Sequence, residues 1–251
     1  MSSPLTEETR SLLARASTAT LQTQLFKRGL RNTFLFGVRP LSLSSASFVG
    51  EAATCRFVPA REDIDVIELL GDPTYPQRVI IDTLDAGKVL VMDGRQDPRA
   101  AVAGEILITR LVVRGAAALV TDASVRDSHR IAEMGLPVYV AGVSASNNLT
   151  LHHAVDVNVP VACAGVAVYP GDVLVGDAEG VVVIPAHLAD EVAGAAAEQE
   201  AQEVFLQARV AAGAPLRGTY PPNPAVLAEW EAHRAAAAAS GAAAGNGEGA
   251  V

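Results

Sequence analysis

Residues 88–141 read KVLVMDGRQDPRAAVAGEILITRLVVRGAAALVTDASVRDSHRIAEMGLPVYVA, and this run decides the fold class. Its apolar runs at 88–92, 116–121 and 138–141 have the length and β-branched content of buried strands. Between them, residues 101–113 and 127–134 carry apolar side chains at helical spacing. Strands that alternate with amphipathic helices across short turns predict a parallel sheet built by right-handed crossovers.

On the N-terminal side, residues 4–29 predict two short helices or one bent one, with Thr6 as a cap and Gly29 as a stop. Residues 41–58 read as extended and 75–84 as a helix. On the C-terminal side the character changes. Short valine-rich segments at 157–161, 165–168, 173–175 and 181–184, split by Pro170-Gly171 and residues 177–180, predict antiparallel strands and hairpins. The whole is therefore read as a mixed α/β domain. A long Ala- and Glu-rich helix follows over 188–212, with Glu191, Glu198, Glu200 and Glu203 as a solvated face. Pro221, Pro222 and Pro224 then break the chain before a short helix near Trp230. The tail 235–251 has nothing to bury and is expected to be disordered.

Composition narrows the function classes. At 251 residues and 50% hydrophobic content, the chain is long enough for one good core. A formal net charge of −9 argues against a nucleic-acid groove, which needs clustered Lys and Arg. The two cysteines, Cys55 and Cys163, sit in apolar strand-like contexts and read as buried reduced thiols, which fits a cytoplasmic protein. Glu7, Glu8, Arg10 and Arg15 interrupt the N-terminus as no signal sequence would, and no apolar run has membrane-spanning length. The histidines at 129, 152, 153, 187 and 233 show no metal-ligand spacing beyond the adjacent pair and read as surface or loop residues. Asn147 and Asn148 read as turn residues.

In a parallel α/β sheet, ligands settle at the carboxyl ends of strands, where loops feed helix N-termini. Two loops qualify. One ends in Gly104-Glu105-Ile106-Leu107, whose glycine admits close backbone approach and whose following amides suit a carboxylate or enolate oxygen. The other ends in Arg126-Asp127, a planar fork for a carboxylate beside a hard oxygen donor for a divalent cation. The structural alternative is an N-cap Asp next to a surface Arg, with Glu105 a first-turn acid. Placing both carboxylates at one sheet edge favours chemistry.

The order and spacing of Gly104-Glu105-Ile106-Leu107, Arg114-Gly115, residues 121–127 (TDASVRD) and Gly135-Leu136-Pro137-Val138 resemble one family. It joins ribonuclease activity regulator A to the class II 4-hydroxy-4-methyl-2-oxoglutarate aldolases. Residues 170–173 (PGDV) and 177–185 (DAEGVVVIP) resemble its other signature, and the likeness covers roughly residues 18–212. The resemblance implies a swivelling β/β/α sandwich with a mixed sheet, N-terminal helices and a long C-terminal helix. On that basis residues 1–17 are a helical extension, 18–212 the aldolase-like domain, 213–234 a helical extension and 235–251 the tail.

The resemblance also implies a homotrimer or hexamer with sites between subunits, and Mg²⁺ or Mn²⁺ as cofactor. It makes Arg126 the ligand of a pyruvate carboxylate and places Asp127 before the metal. Glu105 would be a second, water-linked acid, with the backbone of Ile106 and Leu107 cradling the pyruvyl oxygens. Which of Glu198, Glu200 and Glu203, if any, reaches a neighbouring site stays open. Two departures stand out: Ala123 replaces the usual glycine, and Glu105 is a methylene longer than the Asp of some members.

The expected function is a metal-dependent lyase that cleaves 4-hydroxy-2-oxo acids to pyruvate, with oxaloacetate decarboxylation through the same enolate. A Schiff-base route needs a lysine at the pocket, and the chain has only Lys27 and Lys88. The rivals are a non-catalytic protein that binds a ribonuclease through its acidic surface, and a lyase or hydratase of sugar-derived 2-oxo acids.

Overall fold

The structure, a computed structural model, describes residues 5–245. The chain divides into two compact units, Met1–Ala196 and Ala197–Val251. In the first, α1 (Glu7–Leu13) and α2 (Thr18–Lys27) are separate helices, each started by a hydroxyl: Thr6 accepts from Thr9 N and Ser17 from Thr20 N. There follow β1 (Arg39–Pro40), β2 (Phe48–Pro59), α3 (Pro76–Thr83), β3 (Lys88–Asp93), β4 (Ala101–Ala103) and α4 (Glu105–Arg114). Next come β5 (Ala118–Thr121), β6 (Ser124–Val125), α5 (Ser128–Ile131), β7 (Val138–Val140) and β8 (Gly142–Val143). The last strands are β9 (His152–Val157), β10 (Val161–Cys163), β11 (Val166–Val168), β12 (Val173–Gly176) and β13 (Val181–Ile184), before α6 (Ala189–Ala211).

The main sheet has the order β1-β7-β5-β3-β2-β12-β13, with β9 also paired to β2. Its centre, β7, β5, β3 and β2, is parallel, as the alternation in 88–141 predicts. The outer pairings are antiparallel, so the sheet is mixed. Side-chain alternation along β3 sorts its two faces. Leu90 and Met92 join Ile80 and Ile81 of α3 and Ile108 and Leu111 of α4, whereas Val89 and Val91 join Val161, Cys163, Val166 and Val168 of the β10–β11 hairpin. Hairpin, sheet and helices thus stack as β/β/α layers. Burial on both faces explains why β3 reads as an unbroken apolar run, each such side chain contributing about 1.5–3 kcal/mol. A third cluster packs Leu13, Leu21 and Leu25 of the N-terminal helices, with Val192 and Ala193 of α6, against Val173, Val175 and Val182.

Several expectations are corrected. The helix placed at 101–113 begins at Glu105, because residues 101–103 form β4 in a small parallel sheet, β4-β6-β8. Three short apolar residues carry no period, and their state is set by tertiary pairing, with Ala101 N donating to Ser146 O and Arg126 N to Ala103 O. The helix expected at 127–134 is only the four residues of α5. The strand expected at 157–161 is split where Asn158 turns the chain at φ 52°. His152 and His153, read as surface or loop residues, lie in β9. His152 is fully buried, facing Asp97 O and Arg95 Nη2, and burial followed by the Arg95 charge lowers its pKa. Both cysteines are buried and free, and burial, helped by the Asp93 charge, pushes the Cys55 thiol up to about 12.

The second unit contains α7 (Pro224–Gly245), in which Trp230 and His233 stack with Phe205, and Arg209 pairs with Glu229. Residues 235–245, expected within the disordered tail, are helical, consistent with the high helix propensity of alanine. Residues 246–251 of that expected tail lie outside the described residues. No helix among the described residues is long and apolar enough to cross a membrane.

One carboxylate ties the loops above the sheet. Asp122, 2% exposed, accepts from Gly94 N at 2.6 Å, Gln96 N at 3.1 Å and Ala164 N at 2.9 Å. Burial raises its pKa, and the three N–H donors oppose that shift. We expect Asp122→Ala to cost roughly 3 kcal/mol in urea unfolding, because buried donors lose their acceptor. The folded chain holds the Asp122 proton more tightly than the unfolded one. This term is therefore fully present below the unfolded pKa, and the gap between wild type and variant narrows as pH rises through the raised value.

Candidate functional site

Parallel pairing of β4 with β6 sets Ala103 beside Val125, so the two chain segments that leave these strands, Gly104-Glu105 and Arg126-Asp127, emerge side by side. The Asp127 carboxylate accepts from Glu105 N at 3.2 Å, and its Oδ2 lies 3.6 Å from Arg126 Nε. Asp127 takes a left-handed conformation, φ 59°, which Asp tolerates better than most residues and which turns the chain sharply into α5. Both contacts of its carboxylate use Oδ2, which leaves Oδ1 free among the described residues.

Gly104 is needed for space rather than for conformation, since its φ is −133°. A Cβ there would stand 2.9 Å from both Arg126 Nε and Asp127 Oδ2. Ile106 and Leu107 occupy the first turn of α4, where backbone N–H groups have no intrahelical acceptor. All six residues singled out from the sequence, Gly104, Glu105, Ile106, Leu107, Arg126 and Asp127, line one cleft of about 200 Å³. The site lies at the carboxyl end of short parallel strands, as the topology predicts.

The Glu105 carboxylate itself is paired with Arg130 Nη1 at 3.0 Å. The link from residue 105 to Asp127 thus runs through the backbone amide. The described residues contain no group of three or more His, Cys, Asp or Glu side chains able to hold a metal ion. A cation here would have Asp127 as its protein carboxylate, with Glu105, whose Oε2 is held by Arg130, able to offer Oε1. Lys88 pairs with Glu51 at 3.0 Å and does not line the cleft.

The structure adds residues that the sequence did not point to. Gln77 and Arg78, from the first turn of α3, line the cleft, as does Asn148, whose Nδ2 donates to Tyr75 Oη at 3.1 Å. Gln77 is 1% exposed; its amide nitrogen donates to Val102 O, while its Oε1 has no partner among the described residues. No local pattern marks these positions, because α3 is brought to the cleft by tertiary packing, against both α4 and β9. Ala123, which stands where the family usually has glycine, is fully buried against Gly94, where an added Cβ would lie 2.3 Å from the Ala123 methyl.

A family model described as "RraA-like: Aldolase/RraA" matches residues 18–183. A "Putative 4-hydroxy-4-methyl-2-oxoglutarate aldolase" of Halalkalibacterium halodurans is 33% identical over 119 residues, 47% of this chain and 55% of that protein. A protein of the same description from Xanthomonas campestris pv. campestris strain B100 is 40% identical over 118 residues, 47% of this chain and 70% of that one. The match thus spans about half the length of the first relative. Among solved structures, Streptomyces coelicolor RraAS2, described as an unusual member of the RNase ES inhibitor RraA protein family, superposes with TM-score 0.72 and 29% identity, covering 82% of this chain and 98% of that one. A protein from Pseudomonas syringae pv. tomato shares the fold, with TM-score 0.74 and 23% identity over 87% of this chain and 99% of that one.

We expect Gly104→Ala to leave the fold intact and to displace Arg126 and Asp127. Calorimetric titration should show oxalate affinity reduced by roughly tenfold, with little change in thermal midpoint.

Proposed function

The chain belongs to the RraA-like family, and from that membership we propose that it is a divalent-metal-dependent lyase releasing pyruvate from 4-hydroxy-2-oxo acids. The observation that carries the reading is the convergence of Arg126, Asp127 and the first turn of α4 on one small cleft. Arg126 would grip the substrate carboxylate through its planar fork. The free amides of Ile106 and Leu107 would lie against the oxo-acid oxygens, where negative charge develops. In the cleavage, the C4 hydroxyl loses its proton to a base, C4 becomes a carbonyl, and the C3–C4 electron pair passes to the pyruvate enolate. The enolate then takes a proton at C3. Oxaloacetate loses carbon dioxide by breaking its own C3–C4 bond, leaving the same enolate.

The donor set suits Mg²⁺ or Mn²⁺, hard cations that keep several waters and need only one or two protein carboxylates beside substrate oxygens. Asp127 would hold the ion, with Glu105 a second donor through water. Once bound, the cation supplies Lewis-acid stabilisation of the developing negative charge. Assembly as a homotrimer or hexamer belongs to this reading. It is supported by Ile106, a large apolar side chain 81% exposed at the cleft.

We expect Arg126→Ala and Asp127→Ala to reduce pyruvate release from 4-hydroxy-2-oxo acids and from oxaloacetate by at least about a hundredfold, with circular dichroism unchanged. Turnover at the wild-type rate in either variant rules the assignment out. A chelator should abolish activity, and Mg²⁺ or Mn²⁺ should restore it.

A second reading is favoured by the likeness to RraAS2 over most of the chain: a regulator that binds a ribonuclease. It needs no intact cleft. Ribonuclease inhibition retained in Asp127→Ala, together with no pyruvate release from the wild type, would establish it.

A further inference from the structure

Residue 105 is gripped twice by the short helix α5. Asp127, which starts α5, accepts from the Glu105 backbone N–H at 3.2 Å, and Arg130 donates from Nη1 to Glu105 Oε2 at 3.0 Å. Positions three apart share a helix face, so a single turn directs both groups at the start of α4. The two holds fix different things. The first sets the backbone that enters the cleft, and the second sets where the Glu105 carboxylate goes.

Two ion pairs among the described residues involve acids that line the cleft, and they are unequal. Arg126 approaches Asp127 only to 3.6 Å, through Nε, and Asp127 Oδ1 is left without a partner among the described residues. Arg130 holds Glu105 closely, at 3.0 Å. Asp127 thus keeps an oxygen for an ion, while Glu105 is drawn aside. The difference matters because the Glu105 amide lies 3.2 Å from Asp127 Oδ2, which brings a cation on Asp127 within range of a side chain as long as glutamate. An unpaired glutamate there, turning about three torsions, would bind the ion directly. With Arg130 in place its charge is offset, and a cation that nears it meets a guanidinium as well. Mg²⁺ and Mn²⁺ are served by one or two carboxylates beside waters and substrate oxygens. Each position that a second carboxylate takes is one that a chelating 2-oxo acid loses.

We infer that Arg130 is a positioning residue that keeps Glu105 out of direct coordination, so that Glu105 meets a cation at Asp127 through water and two coordination positions stay open for the oxygens of a 2-oxo acid. The inference rests on the metal-dependent reading of the cleft. The Arg130 side chain is 63% exposed and stands outside the cleft lining, so it acts through Glu105.

The test titrates Mn²⁺ into the full chain, with calorimetry for affinity and water-proton relaxation for the number of waters that the bound ion keeps. Oxalate is then titrated into the Mn²⁺-loaded protein. Arg130→Met should bind Mn²⁺ roughly fivefold more tightly, with about one water fewer on the ion, and should bind oxalate roughly fivefold more weakly. Arg130→Lys should stay close to wild type in all three, since an ammonium also pairs with the carboxylate. In a Glu105→Gln background, Arg130→Met should change both affinities by no more than about twofold. Equal tightening in both backgrounds would show a distant charge effect and overturn the inference. So would an Arg130→Met variant with wild-type hydration and oxalate affinity, or one that binds Mn²⁺ more weakly. Arg130→Gln, also neutral, decides in the same way if the methionine variant does not fold. A wild type that binds no Mn²⁺, or whose Mn²⁺ binding survives Asp127→Asn unchanged, overturns the metal reading and this inference together. Mn²⁺ binding that needs Asp127 but ignores Arg130 overturns this inference alone.

Discussion

Everything above the sheet depends on where the backbone leaves β3 and β5, and that is governed by a buried carboxyl group. Asp122 gathers N–H groups from Gly94 and Gln96 on one side and from Ala164 on the other. Neighbouring Asp93 repeats the device, accepting from Arg95 N and Ala162 N. Loops over a parallel sheet would otherwise strand polar backbone in an apolar setting, which costs more than a normal hydrogen bond gains. Once the loop after β3 is pinned, β4 is delivered next to β6. The cleft is the by-product of that delivery: its two key segments are neighbours because two short strands pair, and their side chains need contribute little to the alignment.

The electrostatics of the cleft run against those of the chain. The protein is acidic as a whole, yet the cavity gathers guanidinium groups and helix-start amides. Local arrangement, not net charge, decides what enters, because salt screens distant charges within about 10 Å while groups lining a cavity act at contact. Glu105 shows the same locality. By formal charge it belongs to the acidic side of the site, but its Oε2 is drawn to Arg130.

Much of this was legible in the sequence, for reasons that differ by element. The strand-helix alternation of 88–141 could be read because β3, β5 and β7 are buried on both faces and so appear as uninterrupted valine and leucine. The convergence of Gly104-Glu105 with Arg126-Asp127 followed from topology alone, since both leave one edge of a parallel arrangement. What stayed hidden was set by contacts between distant residues. Ala101–Ala103 has no intrinsic preference strong enough to announce a strand, and only the pairing with Ser124–Val125 makes it one. His152 looked like a loop residue until β9 carried it under the Asp97 carbonyl. Arg78 and Gln77 sit in an ordinary amphipathic helix, and nothing in their spacing shows which way its first turn faces.

The contact between Gly94 and Ala123 has a bearing on how such a chain can vary. There is room for one methyl group between the two loops, and it is on the β5 side. A side chain at 94 would collide with the methyl at 123 and would press on the Ala123 backbone as well, 3.1 Å from its N and 3.2 Å from its Cα, so the two positions are coupled across the loop boundary. Glycine at 123 would leave a methyl-sized gap between the loops, whereas a side chain at 94 beside Ala123 would overpack it.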